Sequence, residues 1–331
     1  SEMCIRDRPF TAIALAAAVL LGLLALWRPP EMLQQQLSPY KTLSIIKQAL
    51  DARHTLSEAD ATARIDVVES PVIHVMPGLS LSSAVGLPEQ AGLMIDGDSL
   101  LPINRLAAES EQAQLLADNL PVGAAFLLRP EGRTLVLNAA TGQDVLLALA
   151  AGAQQVTAVE ENEQIIRVMR EEYGDWSGGL YQKPEVTVVN ETDRVFARQS
   201  DSRAYDVVII SLNDPHRPVT SGAYSLTEEY TYTVEAFAEY VDVLADDGLL
   251  LITRWLQTPP SESGRTFATM AEALRHSGRD PAEHLVAFRT LRTMTLIVTA
   301  NPVTPAELQT VRSFLAEQQF DAVYLPDIVQ S

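Results

Sequence analysis

Alternating β and α segments predict a doubly wound α/β sheet in this 331-residue sequence, preceded by a small β-rich module and one N-terminal transmembrane helix. Apolar runs such as YDVVIIS and GLLLITRW lack polar alternation, which is typical of parallel strands covered on both faces. Shorter β-like runs with turn residues between them come earlier in the chain. The strands predicted for the large sheet are 134–138, 156–160, 185–190, 206–211 and 249–255, with helical segments between them.

The composition is that of an acidic globular protein. The chain has 43 acidic against 24 basic residues, a formal charge of −19, and no block rich in lysine or arginine. A nucleic-acid partner is therefore not expected, because binding to a phosphate backbone depends on such positive charge. The one cysteine, Cys4, excludes an internal disulfide framework and fits a reducing compartment.

The N-terminal region contains a candidate membrane segment. We interpret residues 1–9 as an artefact of a truncated reading frame. Residues 10–27 then carry no charge over 18 positions. At about 1.5 Å per helical residue this is close to the lower limit for crossing a bilayer core of about 30 Å. We predict a transmembrane helix at 10–28, with a signal peptide and a buried helix as the alternatives.

The rest of the chain divides into four predicted segments. A proline-bearing linker and helix at 29–62 precede the β-rich module at 63–104, in which Asp96-Gly97-Asp98 is a hairpin-turn signal. The α/β domain follows at 105–300 and opens with a helical segment at 105–128. Within it, Ser225-Leu-Thr-Glu228 resembles a capping box that opens a helix ending near Asp247-Gly248, and the domain closes with a hairpin at 284–300. A C-terminal helix–strand extension occupies 301–331, and its Thr304-Pro-Ala-Glu307 is a capping box.

The first strand of the α/β domain leads into the loop NAATGQD, where Asn138, Gly142 and Asp144 are candidate cofactor-binding residues. Small residues let the backbone approach a ligand, and glycine can adopt positive φ. The loop lacks the GxGxxG pattern, which argues against a pyrophosphate-binding dinucleotide site. A plain strand–helix turn is the alternative interpretation.

Acidic residues follow the next two strands. Glu160 ends the second strand, 18 residues after Gly142, where a carboxylate can accept hydrogen bonds from both hydroxyls of a ribose. Glu191 and Asp193 flank the end of the third strand, where an acid can reach an adenine amino group. The sequence does not decide between these two, and each of the three could be a solvated surface acid.

The fourth strand ends in Ser211-Leu-Asn-Asp214-Pro, next to the place where a transferred group would lie. Ser211 and Asp214 are therefore candidate catalytic residues for substrate contact or proton handling. The alternative is that Asp-Pro only forms a turn. The five histidines have no metal-ligand spacing, so no metal site is predicted, and no GxSxG motif supports hydrolase chemistry.

A series of short segments from about Ser38 onward carries a family resemblance by its order and spacing. The segments are SPYKTLS, IDVVESPVIH, GLMIDGD, DVLLALAAGAQQVTAVE, YDVVIISLNDP, GAYSLTEEYTYTVEAFAEYVDVLADDGLLLITRW and TLIVTANPVTPAELQTVRSFL. In these segments the chain resembles the spermidine synthase (polyamine aminopropyltransferase) family, in particular its bacterial branch in which the domain follows transmembrane helices. The resemblance implies a Rossmann-like domain of the S-adenosylmethionine methyltransferase type. It also implies attachment to the bacterial inner membrane with the soluble domain facing the cytoplasm.

Several positions depart from the family pattern. The family's GGGDGG-like loop keeps only Gly142 here, and its donor-contacting acid is replaced by Thr141. Ser211 stands where the synthases have the aspartate that helps to deprotonate the attacking amine. The acceptor-holding Tyr-His-Glu segment is not found in LADNLPVGAAFLL. The family's substrate tyrosine is Thr231 here, which leaves Tyr230 and Tyr232 as candidate substrate-binding residues.

The function predicted from these residues is a spermidine synthase-like transferase. Its donor would be S-adenosylmethionine or decarboxylated S-adenosylmethionine, and an aminopropyl or methyl group would pass to a small-molecule acceptor that could be a polyamine. A primary amine with a pKa of roughly 10 needs a base to free its lone pair, and serine is a poor base. The alternative is therefore a catalytically inactive, membrane-tethered ligand-binding or scaffold domain. A nicotinamide-dependent oxidoreductase has the least support, and a homodimer is compatible with each interpretation.

Overall fold

The computed structural model describes residues 8–27, 37–213, 230–257 and 261–327. A helix, α1 (Arg8–Trp27), comes first, and the large apolar side chains described between residues 13 and 24 are exposed. In the described parts of the chain, no helix combines the length and the apolar character that a membrane crossing requires. The transmembrane helix predicted at 10–28 therefore stays a prediction.

The β-rich module is a four-stranded antiparallel sheet in the order β1-β2-β3-β4. One face contributes Ile65, Val67 and Leu93 to the main core, and the other packs Val68 and Met94 against a short helix. This alternation is the period-two burial expected for strands. Its elements are α2 (Thr42–Ile46), β1 (Arg53–Ala59), β2 (Arg64–Glu69), β3 (Gln90–Ile95) and β4 (Asp98–Asn104).

The second sheet has eight strands in the order β12-β10-β11-β9-β8-β5-β6-β7. The strands from β9 to β7 run parallel, and β11, β10 and β12 are joined through antiparallel pairs. The strands are β5 (Arg133–Leu137), β6 (Gln155–Glu160), β7 (Val186–Asn190), β8 (Tyr205–Ile210), β9 (Leu244–Trp255), β10 (Leu285–Arg289), β11 (Thr293–Thr299) and β12 (Asp321–Tyr324).

The chain order reverses between β5 and β8, because β6 and β7 lie on one side of β5 and β8 and β9 on the other. This is the switch point at which ligands of doubly wound sheets bind. The helices are α3 (Glu111–Asp118), α4 (Gly123–Leu128), α5 (Gln143–Ala150), α6 (Glu163–Arg167), α7 (Asp193–Gln199), α8 (Val234–Asp242), α9 (Ser261–His276), α10 (Pro281–His284) and α11 (Pro305–Gln318).

Two hydrophobic cores cover the faces of the large sheet. Val207 and Ile209 of β8 enter one core, while Val208 and Ile210 enter the other. The same alternation holds along β5. The apolar runs of the sequence are thus strands buried on both faces, and the α/β fold with a mixed sheet is confirmed.

The structure differs from the predicted elements in three places. β1 lies at Arg53–Ala59, within the segment predicted as linker and helix, because an edge strand with mostly exposed side chains carries little apolar signal. The helical segment at 105–128 is two helices, α3 and α4. β9 begins at Leu244, which pairs with Tyr205 ahead of the turn-like Asp247-Gly248.

Two capping boxes were predicted at helix starts. The one at the start of α11 is present, with Thr304 and Glu307 each accepting from the other's backbone N–H. The predicted helix start at 225–228 lies outside the described residues.

Candidate functional site

The loop after β5 has an unusual backbone for its sequence. Asn138, Ala140 and Gly142 have φ values of +53°, +46° and +80°, all in the left-handed region. Glycine reaches this region without steric strain, whereas an alanine does not. The loop therefore has a glycine-like path although only one of these three positions is a glycine.

Two carboxylates accept hydrogen bonds from the backbone of this loop. The backbone N–H of Asn138 donates to Oδ1 of Asp193 at 2.8 Å, and that of Ala140 donates to Oε2 of Glu160, also at 2.8 Å. The second oxygen of Glu160 accepts the N–H of Asn162 at 2.8 Å. Both acids thus contact the backbone of the site, and the side chain of Glu160 is only 3% exposed.

The environment of these carboxyl groups favours their protonated forms. Burial raises the pKa of Glu160, and the two N–H donors oppose that shift. Burial raises the pKa of Asp193 to about 7, and repulsion from Glu160 and Glu161 acts in the same direction. Two neighbouring acids with raised pKa values are a feature more common at functional sites than on plain surfaces.

Two further hydrogen bonds of the loop involve buried hydroxyl groups. Tyr181 is buried, and its hydroxyl donates to the carbonyl of Ala140 at 2.7 Å. The hydroxyl of Thr141 donates to the carbonyl of Pro102 in β4 at 2.8 Å. Thr141, at the position where the resemblance implies a donor-contacting acid, thus ties the loop to the β-rich module.

A cavity of about 680 Å³ lies between the two hairpin turns of the β-rich module and the carboxyl ends of β5, β6 and β7. Glu160 lines it, as the sequence predicts for a ribose-binding acid. Every charged residue among the described lining residues is acidic. The lining residues are Asp60, Thr62, Ala63, Ile95, Asp96, Ser99, Leu101, Asn138, Ala140, Glu160, Glu161, Asn162, Glu163, Ile165, Asn190, Thr192 and Asn213.

A second cavity, of about 40 Å³, lies on the other side of the loop, at the start of α5 and the end of β8. Its polar groups include Gln143, Asp144 and Ser211, and Asn213 lines both cavities. Leu120-Pro121-Val122 forms part of its wall, in the segment where the resemblance implies Tyr-His-Glu. This volume accommodates only one or a few water-sized groups.

The polar groups of this small cavity are poorly satisfied. Burial raises the pKa of Asp144, and the nearby hydroxyl of Ser211 opposes that shift. Ser211 is 3% exposed, and its Oγ has no partner in hydrogen-bond geometry among the described residues; the same holds for the buried Oε1 of Gln143. Buried polar atoms without partners are rare and indicate a ligand, an unseen water or a strained site.

The predicted site residues are distributed over several places. Asn138 and Glu160 line the large cavity, and Asp144 and Ser211 line the small one. Gly142 packs against Tyr181 and lines neither.

The other predicted site residues lie further away. The carboxylate of Glu191 accepts the N–H of Thr192, and Glu191 lines a separate hollow beside β7. Tyr230 is 61% exposed, whereas the ring of Tyr232 lies 4.0 Å from the guanidinium carbon of Arg254. Asp214 lies outside the described residues.

Several lining residues were not predicted. Asp60 and Asp96 reach the large cavity from turns of the β-rich module, and Asn190 donates to the carbonyls of Glu160 and Glu161. Their placement depends on how the two sheets pack, for which the sequence carries no local signal. In the described ranges, no group of three or more His, Cys, Asp or Glu residues is arranged to hold a metal ion.

The fold is similar to that of spermidine synthases. A probable spermidine synthase from Corynebacterium glutamicum aligns with a TM-score of 0.53 at 16% identity, covering 80% of this chain and 88% of that chain. The Thermotoga maritima spermidine synthase aligns at 0.49 with 16% identity, covering 87% and 90%. A spermidine synthase in complex with the transition state analogue AdoDATO aligns at 0.49 with 17% identity, covering 79% of each chain.

No family model matches the sequence, and no curated protein matches it either. At these identities the likeness concerns the fold alone. The fold is that of spermidine synthase-like proteins, and the activity has to be argued from the site.

Proposed function

We propose that this protein binds a cationic adenosyl donor in the large cavity and transfers an aminopropyl group from it to an amine. The donor is decarboxylated S-adenosylmethionine, whose sulfonium and amino groups are positive. The observation that carries the proposal is the acidic lining of the cavity next to Glu160. A cavity whose described charged residues are all carboxylates favours a cation and disfavours the phosphates of a dinucleotide.

Glu160 would contact the ribose. It ends β6 beside the cavity, and each carboxylate oxygen that accepts one backbone N–H still has a lone pair for a hydroxyl. Asp60 and Glu161 are exposed on the same cavity, and hydrogen bonds from Thr62 lower the pKa of Asp60, so it is charged at neutral pH. These charges would attract the sulfonium end of the donor.

The acceptor amine would approach from the side of the small cavity. The amine nitrogen attacks the carbon next to sulfur, the carbon–sulfur bond breaks, and 5′-methylthioadenosine leaves with the electron pair. The amine proton must pass to a base. Asp144 is the one carboxylate among the described residues that line the small cavity, and its raised pKa suits a proton acceptor at neutral pH better than an ordinary aspartate.

Calorimetric titration of the full chain tests the donor site. Decarboxylated S-adenosylmethionine should bind more tightly than neutral 5′-methylthioadenosine, and NADH should bind more weakly than either. Glu160→Gln should weaken donor binding by about tenfold or more, the range for one hydrogen bond to a charged group. Glu163→Gln changes an exposed acid on the same cavity to which no donor contact is assigned; it is the matched control and should have a smaller effect.

Release of 5′-methylthioadenosine with a panel of amines tests the transfer. Asp144→Asn should keep donor binding and lose most of the turnover. If no donor binds the native chain, the proposal is wrong. If donors bind but no amine or other acceptor gives turnover, the chain is a ligand-binding protein without this catalysis, which is the second function left open by Ser211 and Thr141.

A further inference from the structure

The loop between the two cavities combines two features that occur at the same residues. Asn138 and Ala140 are non-glycine residues with left-handed φ, and each of them donates its backbone N–H to a buried carboxylate. Asn138 and Ala140 line the large cavity, and Ala139 between them lines the small one. The loop is therefore the wall that separates the cavities, and its path determines the shape of both.

We propose that Asp193 and Glu160 are positioning residues that substitute for the missing glycines by holding Asn138 and Ala140 in the left-handed conformation. For a residue that has a Cβ, the left-handed conformation costs a modest amount of free energy. A hydrogen bond to a carboxylate is among the stronger ones in proteins and outweighs that resistance. This role does not depend on which ligand the cavities take.

Among the described contacts, the carboxylate of Asp193 has no hydrogen bond other than the one from Asn138. It is the first residue of α7, and its Oδ1 reaches across 55 positions of sequence to the N–H of Asn138. It is absent from the lining of the large cavity, whereas Asn190 and Thr192, just before it, line that cavity. Asp193 therefore acts on the site through the loop, which makes it the cleaner residue for a test than Glu160.

Residue-resolved hydrogen exchange of the full chain is the direct test. In Asp193→Ala, the amide of Asn138 should exchange at least about tenfold faster, because it loses its hydrogen-bond acceptor. Asp193→Asn keeps an acceptor oxygen and should retain most of the protection. Glu191→Ala, two residues away, is the control, because its carboxylate accepts only from Thr192 among the described contacts. It should leave the amide of Asn138 unchanged.

A double-mutant cycle tests whether the carboxylate of Asp193 stabilises the left-handed conformation of Asn138, which a glycine would adopt unaided. Asn138→Gly should raise the thermal midpoint more in the Asp193→Ala background than in the native chain, since glycine needs no help to adopt positive φ. Purely additive effects, or unchanged exchange at Asn138 in Asp193→Ala, would overturn the proposal. If Asp193→Ala does not fold but the double variant does, the rescue supports the proposal; if neither folds, Asp193 supports more than the loop and the proposal is wrong.

Binding of 5′-methylthioadenosine separates this inference from the proposed function. If the native chain binds the nucleoside, Asp193→Ala should bind it less tightly, and Asn138→Gly should restore part of the loss. If the native chain does not bind it, the proposed function fails, while the exchange and midpoint measurements still decide the role of Asp193.

Discussion

The ring of Tyr181 lies against Gly142, at the point where the loop after β5 enters α5. A Cβ placed on Gly142 would lie 2.8 Å from Cε1 of Tyr181 and 2.7 Å from Cδ2 of Leu180. Gly142 also has a φ of +80°. The one glycine that the loop retains is thus required both by its backbone conformation and by a buried ring, while the other two left-handed positions have room for a side chain.

Gly142→Ala should therefore destabilise the protein. Left-handed strain and overpacking against Tyr181 act together, and we expect a loss of about 2–4 kcal/mol in the free energy of unfolding. Urea denaturation of the full chain measures it. Gly152→Ala is the control, because Gly152 has positive φ but no atom of the described residues within 4 Å of its Cβ position, so only the strain contributes. Equal losses at both positions would contradict the packing argument.

Ala140→Gly should have the opposite effect. Ala140 has a φ of +46°, and glycine removes the strain of its Cβ, so we expect a gain of about 1 kcal/mol in stability. Ala139→Gly is the matched control, since Ala139 is buried and is not among the residues with positive φ. It should lose about 0.5–1 kcal/mol through the added freedom of the unfolded chain. Two losses of similar size would show that Ala140 is not strained.

The strands at the centre of the large sheet could be predicted because each of them contains a run of consecutive apolar residues, which indicates burial on both faces. From Val207 to Ile210, β8 alternates between two cores with no polar residue in between, and this depends on neither the partners nor the ligand. Glu160 could be placed at a strand end for the same reason, since the strand and its polar end are continuous in sequence.

The role of Asp193 could not be predicted in this way. Its contact with Asn138 spans 55 residues and exists only because α7 and the loop after β5 meet at one edge of the sheet. A search for GxG patterns assumes that glycine is the means of reaching positive φ, and here a carboxylate contact accompanies that conformation instead. The sequence carries both acids, but it does not indicate that their acceptor atoms face backbone N–H groups.

The raised pKa of Asp193 predicts a pH-dependent stability. The pKa is about 7 in the folded protein and near 3.8 in the unfolded chain. Between these values the folded state binds the proton and the unfolded state does not, so stability falls as pH rises from about 4 to about 7. Glu160, Glu161 and the buried Tyr240 face the same carboxyl and share its electrostatic environment.

Asp193→Asn removes that titration and keeps an acceptor for Asn138. Its thermal midpoint should exceed that of the native protein at pH 8, and the difference should shrink towards pH 4.5. Glu191→Gln should show no comparable trend. A difference that is constant with pH, or that grows towards acid, would show that burial of the Asp193 carboxyl does not destabilise the folded state.

Ser211→Ala should stabilise the protein. In the part of the chain that the structure describes, the buried hydroxyl of Ser211 has no partner in hydrogen-bond geometry. Its removal therefore relieves an unsatisfied group, and we expect a gain of up to about 1 kcal/mol. Ser177→Ala is the matched control, because the equally buried hydroxyl of Ser177 donates to the carbonyl of Gly174 at 3.1 Å. This variant should lose about 1 kcal/mol in the free energy of unfolding. Urea denaturation measures both. If Ser211→Ala gains stability but loses amine-dependent 5′-methylthioadenosine release, the hydroxyl serves to contact a bound molecule. If Ser211→Ala loses stability instead, the hydroxyl has a structural hydrogen-bond partner.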